Sequence, residues 1–199
     1  MQRPAIFLDR DGTINEQMGY INHPSRFILL PGAAEAIHVL NQNKYLVIIT
    51  SNQSGVARGY FPIQLVDKIH EKMILSLAKE DAFIDKIYYC PHHTGGTVAE
   101  YSIKCDCRKP GPGLINKALK DFDIDIDHSY VIGDRCSDIA FAQRANIKGI
   151  MVETGYGLGD AQYILPDFSH KPIHIAKDLL EAVNWICKEN KKTGNAQDI

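Results

Sequence analysis

Short apolar runs alternate with helical patterns along most of this chain, and that alternation leaves few architectures open to it. Residues 5–8 and 46–49 are unbroken apolar runs of the kind buried on both faces of a sheet. Residues 84–89, 130–132 and 149–152 continue the series. Between them, helical spacing covers 32–42, 63–80, 114–122 and 137–145, and a closing helix is expected over 177–187. In the first of these, Ala33, Ala36, Ile37 and Leu40 share one face. Such a sequence predicts an α/β fold with a doubly wound, mostly parallel sheet and right-handed crossovers. One domain over 1–187 is expected, followed by a polar tail, 188–199, expected to fray. The inserted loops are too short for a separate cap domain, so the site should be open with only a minimal cap.

In doubly wound sheets the ligand crevice lies beyond the carboxyl ends of the strands. Asp9, Ser51, Cys90 and Asp134 each fall at the end of an expected strand. Asp9 and Asp11 are two residues apart, so at a strand exit both can face one space. Two close carboxylates repel each other unless a cation joins them, and Mg²⁺, with its preference for hard oxygen ligands, suits such a place. Asp134 can add a third carboxylate. A phosphate monoester needs its charge neutralised before an anion can attack it. Asp9 can then act as nucleophile, and Asp11 can protonate the leaving oxygen and later deprotonate water. Ser51 offers a hydroxyl to the phosphoryl oxygens and Lys109 a compact positive charge. A lone Asp-x-Asp-Gly is more often a plain turn. The hydroxyl, lysine and acid that follow in order set this one apart.

The segment 90–107 contains Cys90, then His92 and His93, then Cys105 and Cys107. Three thiolates and one imidazole complete a tetrahedral Zn²⁺ shell with no open position, which marks a structural site. Such a site would pin a loop with little apolar content, and Arg108 and Lys109 follow its last ligand directly. Cys136 and Cys187 fall in helical patterns as small buried groups, and Trp185 and Ile186 as core anchors. Asp138 is placed as a brace to the acidic cluster. Arg58 is balanced between substrate contact and a solvated loop position. His38, His70, His128, His170 and His174 show no partners for catalysis.

Four strings together resemble the motifs of the haloacid dehalogenase superfamily of phosphatases. They are Asp9-Arg10-Asp11-Gly12-Thr13, Ser51-Asn52-Gln53-Ser54-Gly55, Arg108-Lys109-Pro110, and Gly133-Asp134-Arg135 with Asp138. With the cysteine loop and the run from Asn52 to Gly59, they are similar to its heptose bisphosphate phosphatase branch over about residues 4–155. The resemblance implies Asp9 as nucleophile and Asp11 as acid/base. It implies Mg²⁺ held by Asp9, Asp134 and the Asp11 backbone carbonyl, and Zn²⁺ held by Cys90, His92, Cys105 and Cys107. Ser51 and Lys109 would stabilise the phosphoryl group. Gln17, Met18, Gly19, Tyr20, Asn52, Gln53, Ser54, Arg108 and Arg135 would bind substrate. Relatives often carry Thr before Asn-Gln; here Thr50-Ser51 stands there, and Ser51 is assigned because it directly precedes Asn52. Arg135 stands where relatives commonly have Lys.

The implied reaction removes a phosphate from a small phosphorylated sugar, on the way to nucleotide-activated heptose for surface glycans such as lipopolysaccharide. The alternative is a histidinol-phosphate phosphatase, whose relatives share the same motifs but often carry a dehydratase domain not seen here. A phospho-receiver switch would need neither Asp11 as acid/base nor a zinc-pinned Arg-Lys pair. A zinc-binding interaction module would keep its role without Asp9. Composition excludes other classes. The net charge of −2 arises from 22 basic and 24 acidic residues spread along the chain, so neither a nucleic-acid nor a membrane surface is indicated. The first apolar run is too short for a signal-peptide core. A cytoplasmic monomer with reduced cysteines is therefore expected.

Overall fold

The computed structural model describes residues 2–194. β1 (Arg3–Leu8), β2 (Leu46–Asn52), β3 (Lys86–Cys90), β4 (Ile124–Gly133), β5 (Lys148–Val152) and β6 (His174–Ala176) form one sheet in the order β3-β2-β1-β4-β5-β6. Every neighbouring pair is parallel. The helices are α1 (Ala33–Gln42), α2 (Ile63–Ala78), α3 (Gly113–Asp121), α4 (Cys136–Arg144), the single turn α5 (Gly157–Gly159) and α6 (Leu179–Gly194).

Strand alternation sorts the core into two layers. Ile6, Leu8, Val47 and Ile49 pack with Ile37 and Leu40 of α1, Met73 of α2 and Val183 of α6. Ala5, Phe7, Leu46 and Ile48 pack on the opposite face with Leu114 and Ile115 of α3 and Phe141 of α4. Each such side chain contributes about 1.5–3 kcal/mol by leaving water. Helices α1 and α2 thus cover one face and α3 and α4 the other. The change of face falls between β1 and β4, which are hydrogen-bonded neighbours with Leu8 opposite Ile132. This is the topological switch point, where a crevice opens at the strands' carboxyl ends.

The largest differences from expectation are the start of β4, the added strand β6 and the end of α6. β4 begins at Ile124, six residues earlier than the apolar run. Its polar first half hides it, but the Ser129 hydroxyl accepts the Ala5 N–H at 2.9 Å where the register with β1 shifts between Pro4 and Ile6. β6, with only three residues, is too short to show periodicity. Helix α6 runs on to Gly194, so the first seven residues of the expected tail are helical and the rest lie outside the described residues. Among the described residues no helix is long and apolar enough to cross a membrane, and no separate cap domain is present.

Candidate active site

Asp9 leaves β1 with its N–H on the Ile132 carbonyl of β4 (2.9 Å), and Asp134 follows the last residue of β4. Their carboxylates and that of Asp138, near the start of α4, lie within 4.8 Å of one another. Asp138 thus stands directly against the other two carboxylates, close enough to brace them. Its Oδ2 also accepts the Arg135 N–H at 3.1 Å, closing the N-terminus of α4. Lys109 Nζ lies 2.9 Å from Asp9 Oδ1 and 2.6 Å from Asp138 Oδ1.

One buried ammonium among three carboxylates leaves the ring short of positive charge. Burial pushes Asp9 up to about 6 against the pull of Lys109, with Asp138 adding to the rise. Burial and then the charges of Asp9 and Asp138 push Asp134 up to about 8. Burial alone would lower Lys109, but Asp138 and Asp9 outweigh it and hold its pKa raised. Asp134 Oδ1 is buried without a hydrogen-bond partner. Crowded hard oxygens, an orphaned one among them, fit a divalent cation such as Mg²⁺.

Two glycines make room for Asp134. Gly12 has φ +89°, and a Cβ there would lie 2.2 Å from Asp134 Oδ2; a Cβ on Gly155 (φ +61°) would lie equally close. We expect Gly12→Ala to cost about 1–3 kcal/mol from backbone strain. Displacement of Asp134 should lower kcat about 100-fold. Thermal melts and steady-state kinetics would check both, and a variant with normal kcat would contradict the packing argument.

The loop after Asp9 folds back on itself, with the Gly12 N–H on the Asn15 carbonyl at 2.8 Å. Asp11 is consequently held from several sides. Arg10 Nη2 reaches its two oxygens at 2.9 and 2.7 Å, Asn15 Nδ2 donates at 3.0 Å and Gln53 Nε2 at 2.9 Å. Burial opposes the charge of Asp11, but Arg10 and these donors hold its pKa below the usual range. Arg10 is itself only 1% exposed. Neither Arg10 nor Asn15 was singled out from the sequence, although both stand inside the Asp-Arg-Asp-Gly-Thr-Ile-Asn string. His70, near this pair, is a buried neutral histidine, pushed down to about 3 by burial and then by Arg10.

The cleft above the ring has a volume of about 420 Å³. Asp9, Asp11, Ser51, Lys109 and Asp138 line it together with Gln17, Gly19, Tyr20, Asn52, Ser54, Arg108 and Arg135. Ser51 faces the cleft, whereas its neighbour Thr50 is fully buried and does not line it. Asn52 grips the Lys109 backbone in both directions, at 3.1 and 3.0 Å, and so fixes the lysine as well as lining the wall. Two residues expected to bind substrate do not line the cleft. Met18 packs against the core, where its apolar chain leaves water, and Gln53 turns inward to Ser51 Oγ (2.8 Å) and Asp11. Arg135 stacks over the Tyr156 ring at 4.6 Å and lies 3.6 Å from Asp160. Arg58 and Tyr156 also reach the cleft.

Beside the cleft, Cys90, His92, Cys105 and Cys107 form a four-ligand cluster. Sulfur–sulfur separations are 3.2 to 3.5 Å, and His92 Nδ1 is 3.3 Å from Cys107 Sγ. The edges of a tetrahedral Zn–thiolate site are roughly 3.8 Å, so the cluster needs little expansion to hold the ion. His93 points elsewhere, to Arg58. Cys136 and Cys187 are not in the cluster.

A parallel sheet with an acidic triad, lysine and hydroxyl at its switch point defines a hydrolase of the haloacid dehalogenase class. A family described as HAD-hydrolase-like matches residues 106–182. The D-glycero-D-manno-heptose-1,7-bisphosphate 7-phosphatase of Thermosynechococcus vestitus is 39% identical over 193 residues, covering 94% of this chain and 97% of its own. The D-glycero-beta-D-manno-heptose-1,7-bisphosphate 7-phosphatase of Pasteurella multocida is 41% identical over 176 residues, covering 85% and 95%. The crystal structure of D,D-heptose 1,7-bisphosphate phosphatase from B. bronchiseptica, complexed with magnesium and phosphate, superposes with a TM-score of 0.81. It is 32% identical and covers 94% of this chain and 99% of its own. The chain belongs to the D-glycero-D-manno-heptose-1,7-bisphosphate 7-phosphatase family, whose named members are phosphatases.

Proposed function

We propose that this protein removes the 7-phosphate of D-glycero-D-manno-heptose 1,7-bisphosphate through a phosphoaspartyl intermediate on Asp9. The observation that carries the mechanism is the ring of Asp9, Asp134 and Asp138 closed by Lys109 at the switch point. The substrate comes from the names of the relatives. Asp9, Asp134 and the Asp11 carbonyl would hold Mg²⁺, with Asp138 beside them, and the four-ligand loop would hold Zn²⁺. When bound, Mg²⁺ supplies positive charge against the phosphoryl oxygens.

The protein's own groups divide the remaining work. Lys109 Nζ and the Arg10 N–H (2.8 Å) both fall on Asp9 Oδ1, which leaves Oδ2 to attack phosphorus. As that bond forms, the bond from phosphorus to the sugar oxygen breaks, and the leaving oxygen takes a proton from Asp11, which must first pick one up from water in the cleft because its pairing with Arg10 favours the ionised form. Asp11 then takes a proton from water as the water oxygen bonds to phosphorus and the Asp9–phosphorus bond breaks. Its pairing with Arg10 favours this base form. Ser51 and Lys109 stabilise the transferring group, and Arg108, Arg135, Gln17, Gly19 and Tyr20 contact the sugar phosphate.

Phosphate release with Mg²⁺ should be measured on both anomers of heptose 1,7-bisphosphate and on histidinol phosphate. A kcat/KM for one heptose anomer at least about tenfold above histidinol phosphate is expected. Dominant turnover of histidinol phosphate would overturn the substrate while leaving the mechanism standing.

A further inference from the structure

After β5 the chain turns back over the start of α4 and grips one cation of the cleft from two sides. Arg135 is the residue before α4, and it lines the cleft. With 47% of its side chain exposed, it could be expected to sample many rotamers. Instead its Cζ lies 4.6 Å from the centroid of the Tyr156 ring, within cation–π range, and its Nε lies 3.6 Å from Asp160 Oδ2. A ring and a carboxylate therefore bracket one planar group, an arrangement that suits a guanidinium better than an ammonium.

The bracket is itself held in place. The Tyr156 N–H donates to Asp134 Oδ2 at 2.8 Å, and the Thr154 hydroxyl donates to the Gly12 carbonyl at 2.6 Å. Asp160 is buried, and the oxygen that faces Arg135 also accepts the Cys136 N–H of α4 at 2.8 Å. It opens a short π-helical turn, Asp160–Ile164, and its own N–H is on the Tyr156 carbonyl at 2.9 Å. Turns of this kind recur at functional sites. Tyr156 and Asp160 are thus tied to each other, to the acidic ring and to α4. A long cation braced on such a frame loses less freedom when it meets an anion.

We propose that Tyr156 and Asp160 are positioning residues, which hold the Arg135 guanidinium in the orientation in which it meets the substrate. The inference rests on the reading above, in which Arg135 contacts the sugar phosphate, and it adds the residues that prepare that contact. Asp160 does not line the cleft, so its route to the substrate runs through Arg135. Pre-ordering favours binding in the ground state and the transition state alike, so the effect belongs in KM rather than in kcat.

The test is a pair of double-mutant cycles on heptose 1,7-bisphosphate, with kcat, KM and Tm measured for every variant. Asp160→Asn keeps an oxygen for the Cys136 N–H and loses only the charge that faces Arg135. Tyr156→Leu keeps the backbone N–H on Asp134 and loses the ring. Arg135→Met should raise KM about tenfold, and Asp160→Asn and Tyr156→Leu about threefold to fivefold each, with kcat within about twofold of wild type. Combined with Arg135→Met, neither should raise KM further, because the group it orients is gone. Arg135→Lys, which keeps the charge but not the plane, should raise KM about fivefold. Calorimetry with fructose 1,6-bisphosphate in an Asp9→Asn background repeats both cycles without turnover, and the same non-additivity is expected. Losses that multiply in full with that of Arg135→Met, in both assays, would overturn the proposal. A fall in Tm with KM and probe affinity unchanged would overturn it as well. If wild type released no phosphate from the heptose ester but the coupling to Arg135 appeared in calorimetry, the positioning roles would stand and the substrate assignment would fall.

Discussion

Asp9→Asn is expected to abolish phosphate release, by about 10⁴-fold or more, while the bound zinc content stays at the wild-type level. The amide matches the carboxylate in size and can still accept the Arg10 N–H, so the turn after β1 survives. An amide oxygen carries no charge to attack phosphorus, and the other carboxylates are committed elsewhere: Asp11 is held by Arg10, Asn15 and Gln53. Asp134 lies beneath the cleft rather than in its wall, and Asp138 already carries Lys109 and closes α4. With labelled substrate, wild type should acquire a hydroxylamine-sensitive phosphate and Asp9→Asn should not. Residual turnover within tenfold of wild type would remove Asp9 from the nucleophile's role. A receiver-type switch separates from this result through the wild type itself, which should release phosphate continuously rather than once per chain.

Cys105→Ser is expected to lower both stability and turnover, because the cysteine loop leads directly into Arg108 and Lys109, two cations that line the cleft. Cys105 is the informative ligand to remove. Cys90 and Cys107 are buried in the core layer under α3, so replacing them also disturbs packing, whereas Cys105 is only partly buried. Burial raises the Cys90 and Cys107 thiols, so both need a cation to become thiolates. Losing one of four ligands should remove zinc and cost about 3 kcal/mol or more. That corresponds to a fall in Tm of about 10 °C for a chain of this length. Release of the Arg108–Lys109 segment should also reduce kcat/KM about 100-fold. Metal analysis with thermal melts and kinetics checks the set. A zinc-free Cys105→Ser protein with wild-type Tm and turnover would show that the loop needs no metal.

Much of this site was legible because its parts carry local marks. Asp9, Ser51 and Asp134 sit where apolar runs end, and strand ends at a switch point are where polar side chains can be exposed together. The cysteine cluster was legible from ligand type and spacing, and the structure brings Cys90, His92, Cys105 and Cys107 together, leaving His93 out. Arg10 was not legible as a buried group. A charged side chain next to two aspartates reads as solvated until the loop 10–15 is seen folding back over it. Asp138 joined the ring because the α4 N-terminus brings its side chain under Lys109, a contact across 29 positions of sequence. Met18 and Gln53 were assigned to substrate through the family resemblance, and their side chains turn instead to the core and to Ser51 and Asp11.

By itself the sequence determined the alternation that makes a parallel α/β sheet, the order of the acidic, hydroxyl and lysine elements, and the metal-ligand spacing. These are carried by residues near one another in the chain, where periodicity and motif are visible. Only the tertiary structure decided which charges cancel. It paired Lys109 with Asp9 and Asp138 and Arg10 with Asp11, and it left Arg58 and Arg108 without carboxylate partners in the same cleft. The physical reason is distance. Charge pairing depends on separations of a few ångströms between side chains from different elements, and no local pattern encodes them.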